Sequence, residues 1–154
     1  MLNTNRQSAS TLVEVLVAVS IIALVLTAVS AMISMSVKLS DSNEKKQLAL
    51  QKAQEALEFF RKERSINSWY GFSTFLIDSS RYCVSSLPEE VASISTKLGA
   101  CSDSDLLEAA RYSFKREAVV NFDGNDTLSV QIDLKWNEGN KAKSLILEQN
   151  FENY

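Results

Sequence analysis

The stretch STLVEVLVAVSIIALVLTAVSAMISMSVK, residues 10–38, decides the fold. It carries one acidic residue, Glu14, and its only basic residue, Lys38, closes it. Residues 15–37 form a run of 23 with no charge, no Gly and no Pro. A helix rises 1.5 Å per residue, so such a run covers roughly 35 Å, enough to cross a hydrocarbon core of ~30 Å. The Val and Ile content does not argue for a strand, because strands usually hold ~5–6 residues. In lipid, a helix satisfies its own backbone groups. The run is therefore expected to be a membrane-spanning helix. A secretory signal peptide fits less well, because its apolar region is ~7–15 residues long and ends at a small-residue cleavage site.

Beyond Lys38 the chain reads LSDSNEKKQLALQKAQEALEFFRKERS, residues 39–65. It is rich in Ala, Leu, Glu, Lys and Gln, all good helix formers. Leu50, Ala53, Leu57 and Phe60 fall on one helical face, which Ala49, Ala56 and Phe59 widen. The polar residues Ser40, Asp41, Ser42 and Asn43 offer a place for a cap or a local break. Residues 38–65 are thus expected to form the amphipathic half of a long helix, and residues 66–154 a small domain.

Residues 66–105 hold turn formers, aromatics and both cysteines, and read as loop-rich with short elements. SDSDLLEAARYSF, residues 102–114, reads as a short helical turn capped by Ser102 or Ser104. The end of the chain is clearer. Residues 127–136 alternate, with Leu128, Val130, Ile132, Leu134 and Trp136 on one face and Ser129, Gln131, Asp133 and Lys135 on the other. That is the pattern of a half-buried antiparallel strand. RYSFKREAVVNF and the turn DGND precede it, and the turn NEGN follows it. Strands are expected near 112–122, 127–136 and 141–151, as a three-stranded meander sealed by the Leu50/Ala53/Leu57/Phe60 face. The expected fold class is α+β.

Composition excludes several functions. The formal net charge is −3, with no basic footprint for nucleic acid beyond a small patch in EKKQLALQK. There is no His, so neither a His-based triad nor a His-liganded metal site is available. Two cysteines alone cannot make a tetrahedral zinc site. Cys83 and Cys101 would pair in an oxidising compartment, which would stabilise the domain by about 3 kcal/mol; otherwise they are two free thiols. Asp123, Asn125 and Asp126 surround Gly124, but their spacing is not that of a calcium loop, and a hairpin turn explains them better. Trp69, Tyr70, Phe72 and Phe75 read as core or as a loop. No catalytic constellation, cofactor or metal is expected.

ASTLVE, residues 9–14, continuing into VLVAVSIIALV, resembles the type IV pilin-like family. The resemblance implies a leader, residues 1–9, ending at Ala9. It implies a prepilin peptidase that cuts between Ala9 and Ser10 on the cytoplasmic side and methylates Ser10. Thr11, Leu12, Val13 and Glu14 then stand in the family's assembly positions. Glu14 would neutralise the N-terminal amine of Ser10 on a neighbouring subunit. The implied function is a structural subunit of a pilus or a secretion pseudopilus. The implied partners are other pilin subunits, the peptidase, the inner-membrane assembly machinery and the lipid bilayer. The N-terminus would be cytoplasmic before assembly, and the mature chain would end in a cell-surface fibre. Flanking charge does not fix this orientation, since Arg6 faces Lys38, Lys45 and Lys46 across the run.

Three features depart from the family pattern. Ala9 stands where Gly is usual, Ser10 where Phe or Met is common, and the membrane run has neither Pro nor Gly. The last suits a minor pilin or pseudopilin better than a major subunit. The alternative is a non-polymerising single-pass membrane protein with a small extracellular binding domain.

Overall fold

The computed structural model describes the backbone of residues 5–153 and the side chains of residues 12–153. The chain divides into two compact units, Met1–Asn43 and Glu44–Tyr154. One helix, α1 (Asn5–Ile66), contributes to both. It runs unbroken through Ser40–Asn43, where the polar stretch offered a place for a cap or a break. These residues cost a helix only a few tenths of a kcal/mol each relative to alanine, too little to end one. The helix stops where Asn67 folds back, its backbone N–H and side-chain amide both donating to the Glu63 carbonyl, at 3.1 and 2.9 Å.

In the second unit, α2 (Trp69–Ser73) follows, capped by Ser68, whose hydroxyl accepts from the Gly71 N–H. Then come β1 (Ser80–Cys83), a 3₁₀ helix (Val91–Lys97), β2 (Leu107–Ala109), β3 (Tyr112–Asp123), β4 (Thr127–Glu138) and β5 (Lys141–Glu152). The fold is α+β: a long apolar helix followed by a small antiparallel sheet. β3, β4 and β5 form the meander, joined by turns in which Gly124 (φ 74°) and Gly139 (φ 59°) take the left-handed backbone that glycine adopts freely.

The sheet has five strands rather than the expected three, because β1 and β2 both pair with the other edge of β3. The short helix expected within residues 102–114 is also absent. Its polar start is a turn, in which the Ser102 N–H and hydroxyl both donate to the Asp105 carboxylate. Its apolar part is β2, hairpinned onto β3 through Ala110, itself at φ 54°. Leu107 and Ala109 gain more from pairing beside Phe114 and Tyr112 than a lone helical turn could supply, since an isolated turn is a costly nucleus.

The core lies between the sheet and the second half of α1. Leu128, Val130, Ile132, Leu134 and Trp136 are all buried, as the alternation predicts. From α1 come Ala49, Ala53, Ala56, Leu57, Phe59 and Phe60. Leu50, expected on this face, is 40% exposed instead. The buried stripe centres on Ala53, Ala56 and Phe60 and continues through Glu63, which puts Leu50 at its margin. Of the aromatic cluster, Phe72 is buried against Phe151 at 5.5 Å between ring centres, while Tyr70 is exposed. A disulfide joins Cys83 to Cys101 and ties the end of β1 to the segment before β2.

Candidate functional site

The second unit's charged groups serve the fold. Arg116 points inward from β3 and is almost wholly buried. Its guanidinium donates to the carbonyls of Val84 (2.8 Å), Lys52 (2.8 Å) and Ser85 (3.4 Å), with Glu55 at 3.6 Å. Burial lowers its pKa, and the Glu55 carboxylate opposes that shift. On the sheet's other face Glu117 and Asp133 sit directly opposite each other. Like charges there would repel, but Arg81 pairs with Glu117, and Lys135 bridges both carboxylates at 2.9 and 3.0 Å. Burial pushes the Glu117 carboxyl up. Hydrogen bonds from Lys135, the Cys101 N–H and Arg81 outweigh it and hold the pKa below its ordinary value. Asp123, Asn125 and Asp126 lie at a hairpin turn, where the Asn125 carbonyl accepts from the Trp69 indole N–H at 3.0 Å.

The first unit has a different character. Every large hydrophobic side chain from Leu12 to Leu39 is 46–74% exposed, all round the helix. A helix apolar on all sides needs lipid or other helices around it. Its hydroxyls are satisfied internally. Ser20 donates to the Leu16 carbonyl at 2.7 Å, Thr27 to Leu24 at 2.9 Å and Ser30 to Leu26 at 2.8 Å. No hydroxyl among these three needs water, so polar residues do not bar the segment from hydrocarbon. Sequence reading passed over these bonds, although a Ser or Thr inside an apolar helix is itself the signal for them. The helix is long and apolar enough to cross a membrane.

Leu12, Val13 and Glu14 occupy successive exposed positions at the front of this surface. The side chains of Ala9, Ser10 and Thr11 lie outside the described residues.

The family model for the prokaryotic N-terminal methylation motif matches residues 4–30. No curated protein and no solved structure matches the chain. Motif and architecture agree on the class: a membrane-type apolar helix running on into a small antiparallel domain. Residues 4–30 carry the N-terminal methylation motif, which supports the resemblance to the type IV pilin-like family.

Proposed function

We propose that this chain is a structural subunit of a type IV pilus or secretion pseudopilus, cut after Ala9, methylated on Ser10 and polymerised through α1. The observation that carries this reading is the apolar surface of residues 12–39, exposed on every side of a helix whose N-terminal part matches the methylation motif. In the membrane, lipid covers that surface. In a fibre, the same surface of neighbouring subunits covers it, and burial of apolar area supplies the cohesion.

Glu14 gives the packing a register. A carboxylate inside hydrocarbon costs several kcal/mol unless it is paired. Removal of residues 1–9 creates an ammonium at Ser10, four residues before Glu14. If Glu14 of one subunit meets the Ser10 ammonium of the next, both charges are neutralised in one axial offset and penalised in all others. The pair then selects the assembly geometry more than it adds net stability. The uninterrupted helix, without Pro or Gly in the membrane run, favours a minor pilin or pseudopilin. The subunit would act in the cell envelope with prepilin peptidase, the inner-membrane assembly machinery and other pilin subunits.

Replacement of Glu14 tests this. Glu14→Ala should leave membrane insertion intact and abolish recovery of the subunit in sheared surface fibres or purified pseudopili. Unchanged incorporation of that variant would remove the proposed role of Glu14. Failure of the wild-type chain to enter any fibre would favour a single-pass protein with a small extracellular binding domain.

A further inference from the structure

The sheet ends in two edges that the chain treats differently. The outer edge of β1 is covered: the Gly99 N–H donates to the Arg81 carbonyl at 2.7 Å, and Leu98 bridges Tyr82. At the opposite edge β5 is the last strand for its whole length of 12 residues. Among the described residues no strand pairs with its outer side. A bare edge of that length is a template for a further strand.

The end of β5 fixes its hydrogen-bond phase. The Asn153 N–H donates to the Asp126 carbonyl at 2.9 Å, so the odd-numbered residues of β5 bond toward β4. Ala142, Ser144, Ile146, Glu148 and Asn150 therefore turn their N–H and C=O groups outward. Glu152 keeps the same phase, and its carbonyl accepts from Arg64 at 3.0 Å. Arg64 thus closes one end of the edge, and the stretch before it stays open.

The side chains sort by the same alternation. Lys143, Leu145 and Leu147 share the core face with Trp136, Leu134 and Ile132. Ser144, Ile146 and Glu148 stand on the other face, where Ile146 is 54% exposed. A groove of about 680 Å³ runs between this strand and the second half of α1, lined by Gln51, Gln54 and Glu58 on the helix and Leu147 and Glu148 on the strand. Lys143 and Glu148 are exposed and have no ion-pair partner among the described residues. They flank an uncharged centre, Leu145–Leu147.

A second copy of β5 does not complement this edge. Antiparallel self-pairing in the available phase sets even residues opposite even and odd opposite odd. Lys141 and Lys143 are odd and Glu148 and Glu152 even, so no Lys would stand opposite a Glu. A different segment can match both charges at once.

We propose that the open edge of β5 receives an antiparallel strand from another polypeptide, seated beside α1. The strand has a basic residue opposite Glu148, apolar residues opposite Leu147, Ile146 and Leu145, and an acidic residue opposite Lys143. An antiparallel arrival continues the sheet's own pattern. Backbone hydrogen bonds supply the affinity, and the alternate side chains supply the choice of partner. The proposal does not depend on polymerisation.

The test uses the full detergent-solubilised chain and a blocked synthetic peptide, TRVIVTET, whose Arg and Glu fall opposite Glu148 and Lys143. The peptide should slow amide hydrogen exchange at residues 142, 144, 146 and 148, whose N–H groups face the edge. A peptide with the two charges exchanged, TEVIVTRT, should bind about fivefold more weakly, because opposite-charge pairs become like-charge pairs. Lys143→Glu combined with Glu148→Lys should reverse that preference, which a merely structural role for these residues would not do. Unchanged exchange at the four amides in the folded chain would overturn the proposal. Equal protection by both peptides would overturn the charge-matched recognition. Slowing without peptide as the chain concentration rises would assign the edge to a second copy and contradict the proposal.

Discussion

At the scale of single residues, two buried charges carry most of what is specific to this fold. Arg116 fastens helix to sheet by donating to the Lys52 carbonyl of α1 and to the Val84 carbonyl beyond β1. Arg116→Ala leaves those carbonyls without their donor and Glu55 without its buried partner. It should destabilise the protein by about 3 kcal/mol or more, read as a shift in unfolding midpoint of the detergent-solubilised chain. Arg116→Lys should recover only part of this, because an ammonium cannot reproduce the planar fork. Glu117 makes stability depend on pH. Its folded pKa lies below the ordinary carboxylate value, so it binds a proton less readily folded than unfolded. Its contribution is therefore complete above pH about 4.3 and is lost as pH falls through the lowered value. A denaturant midpoint followed from pH 7 (about neutral) into acid should drop in that window, and the drop should be smaller in Glu117→Gln. Neither residue stood out in FKREAV, because a charge in a strand looks like a solvated one until its partners, distant in the chain, are known. Glu14 did stand out, because a lone charge beside 23 uncharged residues is anomalous without any tertiary information.

At the scale of elements, α1 carries two surfaces with opposite rules. Its first half is apolar all round, and its second half is apolar on one narrow stripe lined by Ala49, Ala53 and Ala56. Those small side chains let the backbone approach the sheet closely enough for Arg116 to reach a helix carbonyl. Ala53→Leu should overpack that contact and destabilise by about 1–3 kcal/mol. Leu50→Ala, at the stripe's margin, should change the unfolding midpoint much less than a fully buried Leu→Ala, which costs ~2–5 kcal/mol. Thermal unfolding of the two variants side by side checks the assignment of the face.

The same contrast explains which elements were legible in the sequence. β4 shows strict period-2 alternation across ten of its twelve residues, 127–136, and a pattern that long has few other readings. β1 and β2 have four and three residues, too few for any period to register. They exist because the free edge of β3 offered backbone partners, which is tertiary information. Leu50 was misplaced for a related reason. A stripe built from alanines gives a weak apolar signal, so the larger leucine drew the face toward itself.

At the scale of the whole molecule, one chain joins a segment that cannot stay bare in water to a domain with its own core. The second unit has an apolar core of its own, whereas the first leaves its large apolar side chains to the surroundings. Under the proposed function, lipid before assembly and neighbouring helices after it would be two covers for one surface, and processing at the N-terminus would switch between them. The motif at residues 4–30 marks where that processing would fall. The departures at Ala9 and Ser10 put the cleavage itself at the centre of the account. Mass spectrometry of the N-terminal peptide, on protein purified from cells that carry a prepilin peptidase, tests it most directly. The account predicts a chain beginning at Ser10 with a methylated amine. A chain that keeps residues 1–9, or that begins at Ser10 without the methyl group, would contradict it.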